Sequence, residues 1–174
     1  MRALALAATL AVAACATAPR TEIPADAPIS GRLSLKVART GESPHNLSAN
    51  FELEGDERSG HLTLSTPLGT GIAQAHWSSS DAVLATSQGQ RSYTDLDSLA
   101  RDALGETVPL AALPSWLRGR PWTGAQSSQL PSQSGTPGFT QLGWQVDYDN
   151  RVGRWVIVSK LDDPSSVTLR VKLD

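Results

Sequence analysis

The stretch "GRLSLKV", residues 31–37, decides the reading of the fold. Leu33, Leu35 and Val37 alternate with Arg32, Ser34 and Lys36. A strand, which sends successive side chains to opposite faces, separates the two sets; a helix would scatter both around its circumference. The same period returns in "LSANFEL", 47–53, where Leu47, Ala49, Phe51 and Leu53 share one face, and in "SGHLTLST", 59–66. "GIAQAHWS", 71–78, and "DAVLATS", 81–87, follow, separated by Gly, Ser and Asp clusters that read as turns. Five strands joined by short connections predict an antiparallel meander, because parallel pairing needs crossover helices that this half does not contain.

The middle of the chain changes period. In "TDLDSLARDALGE", 94–106, Leu96, Leu99, Ala100, Ala103 and Leu104 recur at helical spacing, with Thr94 or Asp95 as the cap and Gly105 as the stop. "PLAALPSWLRGRP", 109–121, predicts a second helical piece carrying Leu110, Leu113, Trp116 and Leu117, split or restarted at Pro114 and ended by Gly119 and Pro121. Residues 123–138 are rich in Ser, Gln, Gly and Pro and read as a loop, with one short edge strand around 125–130. Strands resume in "GFTQLGWQVDYD", 138–149, read as one strand with Leu142, Trp144, Val146 and Tyr148 on one face and Gln141, Gln145 and Asp147 on the other. "GRWVIVSKL" and "SSVTLRVKLD" complete eight to ten strands. With two short helices over one face of a curved antiparallel sheet, the fold class is α+β.

The N-terminal "MRALALAATLAVAAC" pairs a basic start with an apolar run too short to cross a bilayer, and predicts a signal peptide over 1–14. Val12-Ala13-Ala14-Cys15 resembles a bacterial lipobox, which implies lipidation of Cys15 and cleavage before it; the alternative is a plain secretory signal with Cys15 an incidental thiol. As the only Cys, Cys15 forms no disulfide within the chain. Among bacterial lipoproteins an Asp directly after the lipidated Cys favours the inner membrane, and Ala16 in that place implies a lipid-anchored protein of the outer membrane, facing the periplasm. Residues 15–29, rich in Pro, Ala and charge, read as an extended tether, leaving 30–174 as a single domain. Without Arg2 the formal charge drops one unit below the −2 of the whole chain, and scattered Lys36, Lys160 and Lys172 give nucleic acid no basic patch to bind.

Catalytic chemistry is thinly represented. His45, His61 and His76 lie far apart in sequence, and none has a second His or Cys at metal-ligand spacing. No serine sits in G-x-S-x-G, and Gly69-Thr70-Gly71 lacks the Lys and helix of a phosphate loop. Asp147 and Asp149 lack the glycine-centred acidic loop of a calcium site. No enzyme activity, metal or other cofactor is expected. Five Trp against two Tyr and two Phe is a skewed use of the largest apolar side chain; Trp144 and Trp155 suit either a filled core or the lining of a cavity.

Taken in order, "STPLGT", "GQRSYTDLDSL", "LPSWLRGRPW" and "FTQLGWQVDY" behind a lipobox resemble the outer-membrane lipoprotein receptor family LolB, over nearly all of the chain from Cys15 onward. The resemblance implies an incomplete antiparallel β-barrel, a strongly curved sheet whose short helices cover an apolar cavity on the concave side. It implies a monomer without cofactor. Such a protein accepts mature triacylated lipoproteins from a LolA-type periplasmic carrier and inserts their acyl chains into outer-membrane lipid. The residues it implies for the cavity are Leu33, Leu35, Phe51, Leu53, Leu113, Trp116, Leu117, Trp144 and Val146. Leu53 stands where family members often have Trp, which implies a differently shaped wall. Pro67, Leu68 and Gly69 match a membrane-inserting loop in the family; the alternative is that Leu68 folds back onto Leu64 or Ile72. Two other functions fit the sequence: a lipoprotein that holds another amphiphile or serves as an envelope-assembly scaffold, and a periplasmic hydrolase.

Overall fold

A computed structural model describes residues 27–130, 138–149, 153–162 and 165–174. The first half supplies β1 (Ile29–Arg39), β2 (His45–Gly55), β3 (Gly60–Ser65), β4 (Gly71–Trp77), β5 (Ala82–Thr86) and β6 (Gly89–Tyr93). Helices α1 (Leu96–Leu104) and α2 (Leu113–Leu117) follow, then β7 (Ser127–Gln129), β8 (Phe139–Gln141), β9 (Trp144–Asp149), β10 (Arg154–Asp162) and β11 (Ser165–Leu173). All eleven strands form one antiparallel sheet in the order β6-β5-β4-β3-β2-β1-β11-β10-β9-β8-β7. Two meanders therefore meet where the first strand pairs with the last, from Gly31 opposite Leu173 to Arg39 opposite Ser165. The sheet is not closed: β6 and β7 are its two edges, and the helical segment passes from one to the other.

Register explains the core. Leu47, Leu35, Leu169, Val158, Val146 and Phe139 stand opposite one another across six strands, so the alternation in each strand adds up to a continuous apolar face. The outward residues between them, such as Lys36 and Arg170, are exposed or only half-buried. β1 begins at Ile29, already buried, one residue inside the stretch expected to be tether. The expected signal peptide, Cys15 and most of the expected tether lie outside the described residues.

Two expectations about strands are corrected. β6, "GQRSY", was not among the expected strands because it has no apolar alternation; it pairs with β5 through a two-residue turn at Ser87 and Gln88. "FTQLGWQVDYD" is a hairpin, not one strand: Gln141 pairs with Trp144, and Leu142 and Gly143 form the turn with φ of 54° and 78°. Positive φ at both central residues is the backbone of a type I′ turn, normally given to Asn-Gly, and glycine is needed at the second position. Leu142 is consequently exposed instead of sharing the face of Trp144. Gln141, expected to point outward, is only 2% exposed.

The helices follow their caps. Asp95 caps α1 by accepting a hydrogen bond from Ser98 N–H at 2.7 Å, and that contact holds its carboxyl below the usual range. Pro114 lies in the first turn of α2, where a missing N–H costs nothing. α2 is pinned from both ends of Trp116. Its indole Nε1 donates to Gln141 Oε1 at 2.7 Å, and its backbone carbonyl accepts from the Tyr148 hydroxyl at 2.8 Å. Gln141 also accepts from Trp122 N–H and donates to the carbonyls of Trp122 and Ala125. Nearby, the buried Arg118 guanidinium donates to the carbonyls of Pro114, Ala27 and Gly55, tying α2 to the start of β1 and the end of β2.

Replacing Gln141 by Ala strands the buried Trp116 indole N–H and the neighbouring backbone groups, so a loss of about 3 kcal/mol is expected in urea unfolding. A loss below about 1 kcal/mol would show that the network contributes little.

Candidate functional site

The concave face is filled on one side only. Under α2, Trp116 meets Phe139 edge-on at 6.4 Å between ring centroids, and Phe139 meets Tyr148 at 6.2 Å. Under α1 the sheet contributes mostly Leu and Ala, and Tyr93 and Arg91 of β6 reach the helix at Asp102. A cavity of about 470 Å³ remains there, lined by residues of β1 to β6, by α1 and by the segment from Val108 to Leu113. Its wall is largely aliphatic, with Leu33, Leu47, Leu62, Leu64 and Leu84 prominent.

Of the residues expected in the cavity, Leu33, Leu35 and Leu113 line it. Phe51, Leu53, Trp116, Leu117, Trp144 and Val146 are instead buried among the packed core residues, away from the lining. Trp155 is half-buried, and neither it nor Trp144 faces the cavity. The wall formed by β3 to β6 was missed, although the Leu62 and Leu64 alternation signalled a buried face.

A β-bulge shapes one rim. Leu64 pairs with Ala73 and Ser65 with Gly71, so Ile72 is an extra residue in β4, and both Ile72 and Ala73 reach the cavity. Beyond the bulge the β3–β4 connection forms a tight tip: Gly69 N–H donates to the Thr66 carbonyl at 2.9 Å, and Thr66 N–H to the Thr70 carbonyl at 2.8 Å. Pro67 occupies the first central position, and Gly69, at φ 84°, takes the left-handed conformation that returns the chain to β4. Leu68 is 95% exposed at the summit, while Leu64 and Ile72 face the cavity behind it. The alternative in which Leu68 folds back is thereby excluded.

At the opposite rim, α1 is held by polar contacts. Asp102 Oδ2 accepts from the Tyr93 hydroxyl at 2.6 Å and from Arg91 Nη1 at 3.0 Å. The Tyr93 hydrogen bond, with Arg91 next, keeps the Asp102 carboxyl below its ordinary value of 3.8, and the same carboxylate raises Tyr93. Just past the same, C-terminal end of the helix, Arg39 donates to the Gly105 carbonyl at 2.6 Å and to Glu106 at 3.0 Å. None of these groups was singled out from sequence.

The histidines expected to lie apart do not all do so. His61 and His76 are cross-strand partners with ring centroids 4.0 Å apart, and His61 Nε2 is 2.9 Å from Thr63 Oγ1. Among the described residues, no group of three His, Cys, Asp or Glu could hold a metal ion, and no helix is long and apolar enough to cross a membrane.

Residues 28–174 match the model of the family described as outer membrane lipoprotein LolB. The chain belongs to the LolB family. The outer-membrane lipoprotein LolB of Thiobacillus denitrificans is 34% identical over 159 residues, spanning 85% of this chain and 83% of that one. LolB of Dechloromonas aromatica is 32% identical over 144 residues, spanning 79% and 75%. A LolA superfamily protein of Nitrosomonas europaea superposes with a TM-score of 0.42 at 10% identity, covering 88% of this chain and 86% of that one.

Two outcomes follow from the geometry. Ala75, on the cavity wall between Leu62 and Leu84, borders the space, so Ala75→Phe should abolish Nile red binding at a stability cost of no more than about 1–3 kcal/mol. Dye binding equal to wild type would show that the dye sits elsewhere. Because Asp102 is lowered, its contribution is complete above the unfolded value near 3.8 and is lost as pH falls through the lower folded value. Carboxyl NMR titration should place its midpoint below 3.8; a midpoint at or above it contradicts the contact with Tyr93 and Arg91.

Proposed function

We propose that the protein is a lipoprotein receptor, anchored through Cys15 in the outer membrane and facing the periplasm, that takes acyl chains from a LolA-type carrier into its cavity and passes them to the membrane. The observation that carries this reading is an aliphatic cavity of about 470 Å³ beside a hairpin tip whose Leu68 is 95% exposed.

Exposing one chain of about fifteen methylenes to water costs ~12 kcal/mol at roughly 0.8 kcal/mol each, so a triacylated protein needs a container at every stage of its crossing. Leu and Ala walls hold hydrocarbon without directional bonds, which leaves binding reversible. An affinity about 1.4 kcal/mol better than that of the carrier biases the handover tenfold without fuel. α1, which forms part of the cavity wall, is tied at its C-terminal end by Arg39, Arg91 and Tyr93.

Leu68 supplies the approach to lipid. Inserting its side chain at the acyl boundary contributes about 1.5 to 3 kcal/mol, enough to bring the cavity rim to the bilayer without anchoring the protein. The chain acts as a monomer and performs no catalysis.

The experiment is transfer of a labelled lipoprotein from a loaded LolA-type carrier to this protein and onward to liposomes. Leu68→Glu should leave thermal stability and acceptance intact and reduce release several-fold. Failure of the wild type to accept cargo contradicts the receptor reading. Unimpaired release by Leu68→Glu contradicts the role of the tip.

A further inference from the structure

The cavity wall is not uniformly apolar. One end is polar: the β5–β6 hairpin contributes Thr86, Gln88, Gln90, Arg91 and Tyr93, and α1 places Asp102 beside them. This end is also the wet end, since the side chains of Arg91 and Asp102 retain 67% and 47% of their exposure. A ligand with hydrocarbon in the aliphatic part must leave at the mouth whatever joins its chains together. A few placed polar groups at the edge of an apolar pocket are the usual means of fixing such a ligand's orientation.

Arg91 is held in place. Arg91 and Tyr93 are two residues apart on one strand and share a face, and both reach the same Asp102 oxygen. A guanidinium has five N–H donors and no acceptor, and Asp102 engages one of them at 3.0 Å. The pair is electrically neutral, so it offers N–H donors with little net attraction for an anion. That combination suits an uncharged group that only accepts, the carbonyl oxygen of an ester or amide, better than a phosphate or a carboxylate.

We infer that Arg91, fixed by Asp102 and Tyr93, forms a carbonyl-binding subsite at the cavity mouth for the ester and amide oxygens that join the acyl chains to the N-terminal cysteine of a cargo lipoprotein. The inference rests on the reading of the cavity as an acyl-chain site, and names what is recognised there besides hydrocarbon. It distinguishes a receptor that reads the ester and amide links of its ligand from a general sink for hydrocarbon.

The test uses residues 15–174 carrying Cys15→Ala, so that the protein is not itself acylated, with displacement of Nile red as the readout. Three ligands of matched chain length are compared: a triacylated cysteinyl peptide, its analogue with ether links in place of the two glyceryl esters, and a diacyl phospholipid. Wild type should bind the ester peptide about tenfold more tightly than the ether peptide, the value of one good hydrogen bond from a charged donor. Arg91→Met should bring that ratio to about one. Equal affinities for the two peptides in wild type, a comparison independent of any variant, overturn the inference while leaving the cavity reading intact. An unchanged ratio in Arg91→Met removes Arg91 from the subsite. Phospholipid bound as tightly as the ester peptide overturns the assignment to cargo. If no ligand displaces the dye, the acyl-chain reading itself falls, and this inference with it.

Discussion

The hydrogen bond from the Trp116 indole to Gln141, 2.7 Å long and fully buried, determines where the helical segment rests. The concave face of an open eleven-stranded sheet is wider than two short helices can fill. Because Trp116, Phe139 and Tyr148 draw α2 onto β8 and β9, the shortage of side-chain volume falls entirely under α1. A polar network specifies this division more sharply than apolar packing alone would, since Gln141 has one position in which its amide is satisfied by Trp116, Trp122 and Ala125 together. The cavity is thus a consequence of how the aromatic residues are shared between the two meanders.

That division gives each half a different task. The β7–β11 half, with α2 and Arg118, is packed and hydrogen-bonded, and holds its shape. The β1–β6 half carries the space, the bulge at Ile72 and the exposed tip at Leu68. Its helix buries Leu99 and Ala100 in the core and is tied at its C-terminal end by polar contacts at Asp102, Gly105 and Glu106.

Much of this was legible in the chain. Strict alternation located β1, β2 and β11, since each has one buried and one outward face, and β3, whose residues are all half-buried. The period and caps located α1, and Pro67 and Gly69 located the tip. Reading failed where local chemistry departs from pattern. β6 is polar on both faces because it is an exposed edge strand whose residues border the mouth of the cavity. A Leu in a left-handed turn made "FTQLGW" look like one strand, and the resulting slip put Gln141 on the wrong face. Wall and core were indistinguishable for a deeper reason. Leu33 and Phe51 carry the same alternation, and which one meets empty space depends on the volume of residues contributed by distant elements. The adjacency of His61 and His76 likewise follows from strand register alone.

The central claim is that hydrocarbon occupies the space under α1. The most direct measurement is intermolecular NOEs between a triacylated peptide and methyl-labelled leucines of the protein. The account predicts contacts from the acyl chains to Leu33, Leu47, Leu62 and Leu84, which line the cavity. Contacts confined to Leu68 and other surface residues, with those four methyls silent, would contradict it.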